Sequence, residues 1–226
     1  MTQTHLAGNR LFSWNDVRST RLFVVVQGVI GGLAGITHGI FEILQGNRPT
    51  PGPVFDYTSG AFTILPTYLI SGIATVCVGL ALIVWTLGFI HRKKGPTIFL
   101  LISIVLFLVG GGIAQVLFFL IAWAVSTRIN RPPNWWKNEL SGQKRKSLAR
   151  LWLLFFSGGY TFLLIGIAIW LIFTPPGTPF QNQRTAYLVC WSCLIIGFAL
   201  QILTIVSGFA RDIDLQARGG KYAPGD

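Results

Sequence analysis

Residues 97–126 read TIFLLISIVLFLVGGGIAQVLFFLIAWAVS. None of them is charged. A helix needs only about 20 such residues to cross the ~30 Å hydrocarbon core of a bilayer, so the stretch places the chain in a membrane. Its middle decides how many times the chain crosses. Gly110, Gly111 and Gly112 are poor helix formers, at about 1 kcal/mol each relative to Ala. They also permit the positive φ of a tight turn. If the chain reverses there, each half is too short to cross and the run is a re-entrant hairpin. If it does not, the run is one long span whose glycines form a packing face.

Four more apolar runs flank this one, at about 22–45, 62–90, 150–173 and 186–210. Pro66 near the start of the second is tolerable in a first helical turn. The segments between the runs have loop chemistry. Residues 46–61 carry Pro49, Pro51 and Pro53, and 174–185 carry Pro175, Pro176, Gly177 and Pro179. Residues 91–96 and 127–149 are basic, and the latter hold Trp135 and Trp136, residues suited to the water–lipid boundary. If all five runs cross, the 18 Lys and Arg split nearly evenly between the two faces. If 97–126 enters and leaves on one side, every Lys and Arg except Arg48 and Arg184 falls on the same face. Membrane proteins concentrate Lys and Arg in their cytoplasmic loops.

The expected fold is therefore an all-α integral membrane protein. It is a helical bundle of four full transmembrane helices plus a glycine-broken third apolar segment, read as a re-entrant hairpin, with a fifth span as the alternative. Both termini are expected on the cytoplasmic side of a prokaryotic plasma (inner) membrane. Residues 1–21 form a cytoplasmic or interfacial N-terminal segment, 22–210 the transmembrane domain, and 211–226 a polar C-terminal tail. No small-residue cleavage site follows the first run, which is expected to stay in the membrane as an anchor.

Composition supports this reading. Of 226 residues, 52% are hydrophobic and 11% charged, against about 25% charged in soluble domains. The net charge of +11 would suggest nucleic acid in a soluble protein. Here it lies in short segments between apolar runs, without a recognition motif. The expected partners are a bilayer with anionic headgroups and other membrane protein subunits, not nucleic acid. Cys77, Cys190 and Cys193 all fall inside apolar runs, and the last two are expected to stack one turn apart as small apolar side chains.

The first run carries the most chemistry. Gly28 and Gly32, and the interleaved Gly31, Gly35 and Gly39, follow the small-xxx-small spacing that lets a second helix approach closely. His38 and Glu42 stand four apart, so their side chains can meet. An ionisable residue inside a span is costly and points to function. Three such readings apply: a proton or cation relay, two ligands of a metal site, or a single-His haem or chlorophyll-type pigment at His38. The structural alternative is a satisfied pair near the helix end. No cofactor is expected. Gln27, Thr37 and Gln45 share the first run, and Gln115 falls near the apex of the hairpin, where a solute could meet it; interhelical hydrogen bonds are the alternative expected for Gln115, Tyr160, Ser192 and Gln201.

No nucleotide-binding loop, nucleophile elbow or zinc-protease motif occurs, and catalytic activity is not expected. Two function classes remain from sequence. One is a non-catalytic subunit or assembly/scaffold protein of a larger membrane complex. The other is a small transporter or channel for a small solute, ion or proton that uses His38, Glu42 and the Gly110–Gly112 break.

Overall fold

The computed structural model describes residues 18–52, 62–113, 115–129, 141–173 and 184–218. Six helices account for most of them: α1 Ser19–Leu44, α2 Tyr68–Phe89, α3 Gly95–Leu108, α4 Gln115–Ser126, α5 Gly142–Phe173 and α6 Arg184–Arg218. Among the described residues there is no strand, and only two isolated bridges form. α1, α2, α5 and α6 are long and apolar enough to cross a membrane. Of the expected N-terminal segment 1–21, residues 1–17 lie outside the described residues, as do the tryptophans 135 and 136, and Ser19–Arg21 belong to α1.

The third apolar run is not a fifth span. α3 has 14 residues and α4 has 12, or about 21 and 18 Å of helix. The Phe99 and Phe119 rings meet edge to face with centroids 6.1 Å apart. In one continuous helix these residues would be about 30 Å apart. The chain turns back on itself between them.

Contacts with α1 and α2 fix the direction of each segment. α1 and α2 run antiparallel, with the Gly32 and Gly79 backbones in close approach midway and Gly39 against Gly72 near one end. α3 starts where α2 ends, and the Trp85 indole donates to the Gly95 carbonyl at 3.0 Å. It rises along α1 until Leu106 meets Gly35. α4 descends past Gly31, which its Phe119 covers. The Arg18 guanidinium then donates to the Ile129 carbonyl at 2.7 Å, so the hairpin returns to the level where α1 began. The glycines of α1 serve two neighbours, though not series by series: Gly28 and Gly32 face α2, Gly31 and Gly35 face the hairpin, and Gly39 of the second series faces α2.

α5 and α6 form a second antiparallel pair. Gly166 lies against Leu194, Gly197 against Leu163, and Gly159 against Gln201. Cys190 and Cys193 are free and buried in this pair, and the Cys190 thiol donates to the Gly166 carbonyl at 3.3 Å. α6 reaches the hairpin through an edge-to-face contact of Phe118 and Phe198, centroids 6.0 Å apart. Both helices extend further than their apolar runs. α5 begins at Gly142 rather than near Arg150, and α6 continues through Arg218, so Arg211–Arg218 is helix rather than tail. Ile213 at 3% exposure continues its buried face.

One end of the bundle therefore gathers Arg18, Arg21, Arg92–Lys94, Arg128, Lys144–Lys146 and Arg211. The other end holds Arg48 and Arg184. The first is called the basic face below.

Candidate functional site

The hairpin turn explains where the site forms. α3 ends in a Schellman arrangement: the Gly111 N–H donates to Leu106 O at 2.8 Å and the Gly110 N–H to Phe107 O at 3.4 Å. Gly110 has φ +117° and Gly112 φ +91°, a region L side chains avoid. The turn lies near the non-basic end of the bundle, beside the last turns of α1 and the first turn of α2. A Cβ on Gly110 would lie 2.6 and 2.9 Å from the two Glu42 carboxylate oxygens and 3.0 Å from Ser71 Oγ. One on Gly112 would lie 3.2 Å from His38 Nε2 and 3.7 Å from Gln115 Nε2. His38, Glu42, Gln115 and the three-glycine break thus meet around one turn of backbone.

The surrounding hydroxyls do not serve the carboxylate. Ser71 donates to the Val109 carbonyl at 2.6 Å and Thr75 donates to the same oxygen at 2.5 Å. The Thr63 and Ser71 hydroxyls are 2.8 Å apart, and Thr63 accepts from the Leu65 N–H at 3.2 Å. In this geometry Ser71 and Thr75 direct their protons to the Val109 carbonyl, and Ser71 Oγ lies beside the Glu42 carboxylate. Glu42 is 3% exposed, and neither of its oxygens has a hydrogen-bond partner among the described residues. The Gln115 carbonyl oxygen is buried and unpartnered too. Buried polar groups are nearly always paired, and an uncompensated buried carboxylate costs several kcal/mol.

A short strap closes the site from the non-basic end. Residues 62–67 were expected to begin the second span but are not helical. Pro66 lacks an N–H and holds Leu65 extended, and Thr67 caps the helix that starts at Tyr68, accepting the Ile70 N–H at 3.4 Å. The strap bridges Thr63 to Val109, donates the Ile64 N–H to Leu108 O at 3.0 Å, and stacks Phe62 on Phe107 with centroids 5.0 Å apart. Its other edge joins residues 48–50, through Tyr68 N–H to Arg48 O and Thr50 N–H to Pro66 O, both 3.0 Å. Toward the basic face the floor is apolar: Leu106, Phe119, Phe99, Ala122 and Val125 are all buried.

The remaining polar groups bind helices together. Tyr160 donates to Gln27 Oε1 at 2.9 Å, and the Gln201 amide reaches the same oxygen at 3.4 Å, linking α1, α5 and α6. Ser192 bonds the Leu188 carbonyl of its own helix at 2.7 Å rather than another helix. His91 lies on the basic face, where burial, then the charges of Arg21 and Arg92, lower its pKa. It is at the opposite end of the bundle from His38. Among the described residues no three His, Cys, Asp or Glu converge on one point, so a metal held by His38 and Glu42 would find no third such side chain.

Two groups of functional weight went unread in the sequence. Ser71, Thr75 and Thr63 look like ordinary small residues in apolar runs, and only the hairpin brings them to one carbonyl. Asp212 falls in the segment expected to be a polar C-terminal tail. It is 2% exposed and caps the start of α1, accepting from Ser19 N–H at 2.6 Å, Thr20 N–H at 3.1 Å and Thr20 Oγ1 at 2.5 Å. Arg211 donates to Ser19 Oγ at 2.6 Å beside it. The available signal was an acid on an otherwise basic face, one residue before an apolar position that continues the helical period.

The chain is thus a multi-pass α-helical membrane bundle with an inserted hairpin. Comparison with protein-family models, curated proteins and solved structures finds no match.

Proposed function

We propose that this protein is a small membrane transporter or channel, with its translocation site at the hairpin apex and a small cation or proton as its cargo. One observation carries the reading: the Glu42 carboxylate is buried at a break in a helical hairpin with no partner for either oxygen. Discontinuous helices beside a charged residue build the midplane sites of several transporters. Non-helical backbone at membrane depth is tolerated where protein buries it or it lines a wet cavity. Glu42 provides the negative charge, and the apolar floor and the strap keep the site from opening to both sides at once. The basic face is assigned to the cytoplasm of a prokaryotic plasma membrane by its excess of Lys and Arg, and anionic headgroups are its partners there.

The test is cation flux into liposomes carrying the purified protein. Flux should be present, and Glu42→Gln should reduce it about a hundredfold, in the range for removal of an essential proton-handling group. Equal flux in both proteins would overturn the reading.

A second reading is a non-catalytic subunit or scaffold of a larger membrane complex. It draws on the outer surface of α5 and α6. The apolar window of α5 is 17% buried, against 44% for α1, and Tyr187, Trp191 and Ile195 are exposed on α6. Extraction from native membranes as a lone, monodisperse species would dismiss it.

A further inference from the structure

Space around Glu42 is the first limit on what the apex can hold. Even a methyl carbon on Gly110 would lie 2.6 Å from one carboxylate oxygen. The turn backbone rests on the carboxylate, and an organic cation does not fit between them. Bonding capacity is the second limit. A metal ion needs a shell of several oxygens. The Val109 carbonyl already accepts two protons, from Ser71 and Thr75, which fills both of its lone pairs. A proton on Glu42 itself needs no volume, cancels the buried charge and supplies the one donor that the cluster lacks.

The third limit is the neighbour. His38 is one turn from Glu42 on the same helix, about 6 Å toward the basic face. Its imidazole makes no hydrogen bond among the described residues, and its Nε2 faces Gly112. The other groups at the apex are Ser71 and Thr75 from α2, Thr63 from the strap, and Gln115 with the turn backbone from the hairpin. None is titratable. Glu42 and His38 are therefore the two proton-binding groups of the apex among the described residues, one on each side of the turn.

Resting on the transport reading above, we propose that the particle handled at the apex is a proton, held on Glu42 and exchanged with His38 across the Gly110–Gly112 turn. In the exchange the Glu42 O–H bond breaks, directly or through one water, and an N–H bond forms on the imidazole. The site passes from neutral acid and neutral imidazole to carboxylate and imidazolium, with no net change in charge. Loss of that proton from His38, and return of one to Glu42, completes a turnover.

The experiment has two arms on the full chain. In proteoliposomes with an internal pH dye and a potassium-diffusion potential, proton uptake should occur with sodium replaced by an impermeant cation. It should fall about a hundredfold in both Glu42→Gln and His38→Phe and survive in part in Glu42→Asp. Glu42-dependent flux of sodium or potassium without proton flux would overturn the proton assignment and leave transport standing. No Glu42-dependent flux of any ion would overturn both. Undiminished proton flux in His38→Phe would overturn the exchange. The second arm needs no flux: infrared difference spectra between acid and alkaline pH should show a protonated carboxyl band that Glu42→Gln removes. A carboxylate already ionised throughout would overturn the assignment even if ions move.

Discussion

Glu42 has a testable signature in stability as well as in transport. A group kept for packing loses stability when changed, whereas a buried group with unmet hydrogen-bonding capacity does not. Glu42→Gln should leave the thermal midpoint in detergent unchanged or raised, because glutamine is as neutral as the protonated acid and neither carboxyl oxygen has a partner to lose among the described residues. A loss of more than about 1 kcal/mol would mean the carboxylate is satisfied and structural. Gly46, just after α1, and Gly110, in the turn, make a matched pair. Gly46 has φ +74° and open space, whereas Gly110 has φ +117° and the Glu42 carboxylate where a Cβ would lie. Gly46→Ala should cost about 1–2 kcal/mol from backbone strain alone. Gly110→Ala should cost clearly more, and chemical denaturation of the two side by side measures the difference. His38, Glu42, Gln115 and the glycines could be read from sequence because charge and glycine are conspicuous among apolar residues. Ser71 and Thr75 could not, because their role is to meet one carbonyl that only the folded hairpin brings to them.

At the scale of elements, α1 is held by backbone contact with α2, by hairpin side chains over Gly31 and Gly35, and by a polar tie to α5 and α6. Its backbone touches α2 at Gly32, whose added Cβ would fall 2.8 Å from the Gly79 carbonyl oxygen. That neighbour is backbone and does not step aside. Gly32→Ala should therefore destabilise the bundle, while Gly88→Ala on α2, with nothing within 4 Å, should be neutral or gain up to about 1 kcal/mol from helix propensity. Equal midpoints for the two variants in a thermal melt would contradict the close approach. The polar tie from α1 to the second helix pair is weaker. Tyr160→Phe deletes the 2.9 Å bond to Gln27 and should cost about 0.6 kcal/mol, the average for such bonds in membranes. At this scale the hairpin was legible and the strap was not. Three glycines and a lopsided charge pattern mark the reversal. Phe62, Ile64 and Leu65 continue the apolar run on its N-terminal side, and Pro66 alone hinted that helix formation starts later.

Over the whole molecule, the reversal in α3–α4 decides which segments share a compartment. Single cysteines introduced at Lys93 and at Lys144 should react with an impermeant thiol reagent from the same side of sealed membranes, and one at Arg48 from the other. Labelling of positions 93 and 144 from opposite sides would require the third run to cross. The bundle was legible in sequence at this scale because the membrane imposes length and polarity on each run. The helix ends were not, because apolar runs mark the hydrocarbon core while α5 and α6 continue as helix beyond it.

The contact between Asp212 and the first turn of α1 also sets an order in time. The bonded residues are 193 positions apart, and synthesis at roughly 5–20 residues per second separates their appearance by about 10–40 s. Throughout that interval Asp212 is absent from the leading amides of α1, which carry the positive end of the helix dipole. α6 thus completes the cap of α1, and a ribosome stalled before residue 212 would leave α1 inserted without the bonds that Asp212 makes to Ser19 and Thr20.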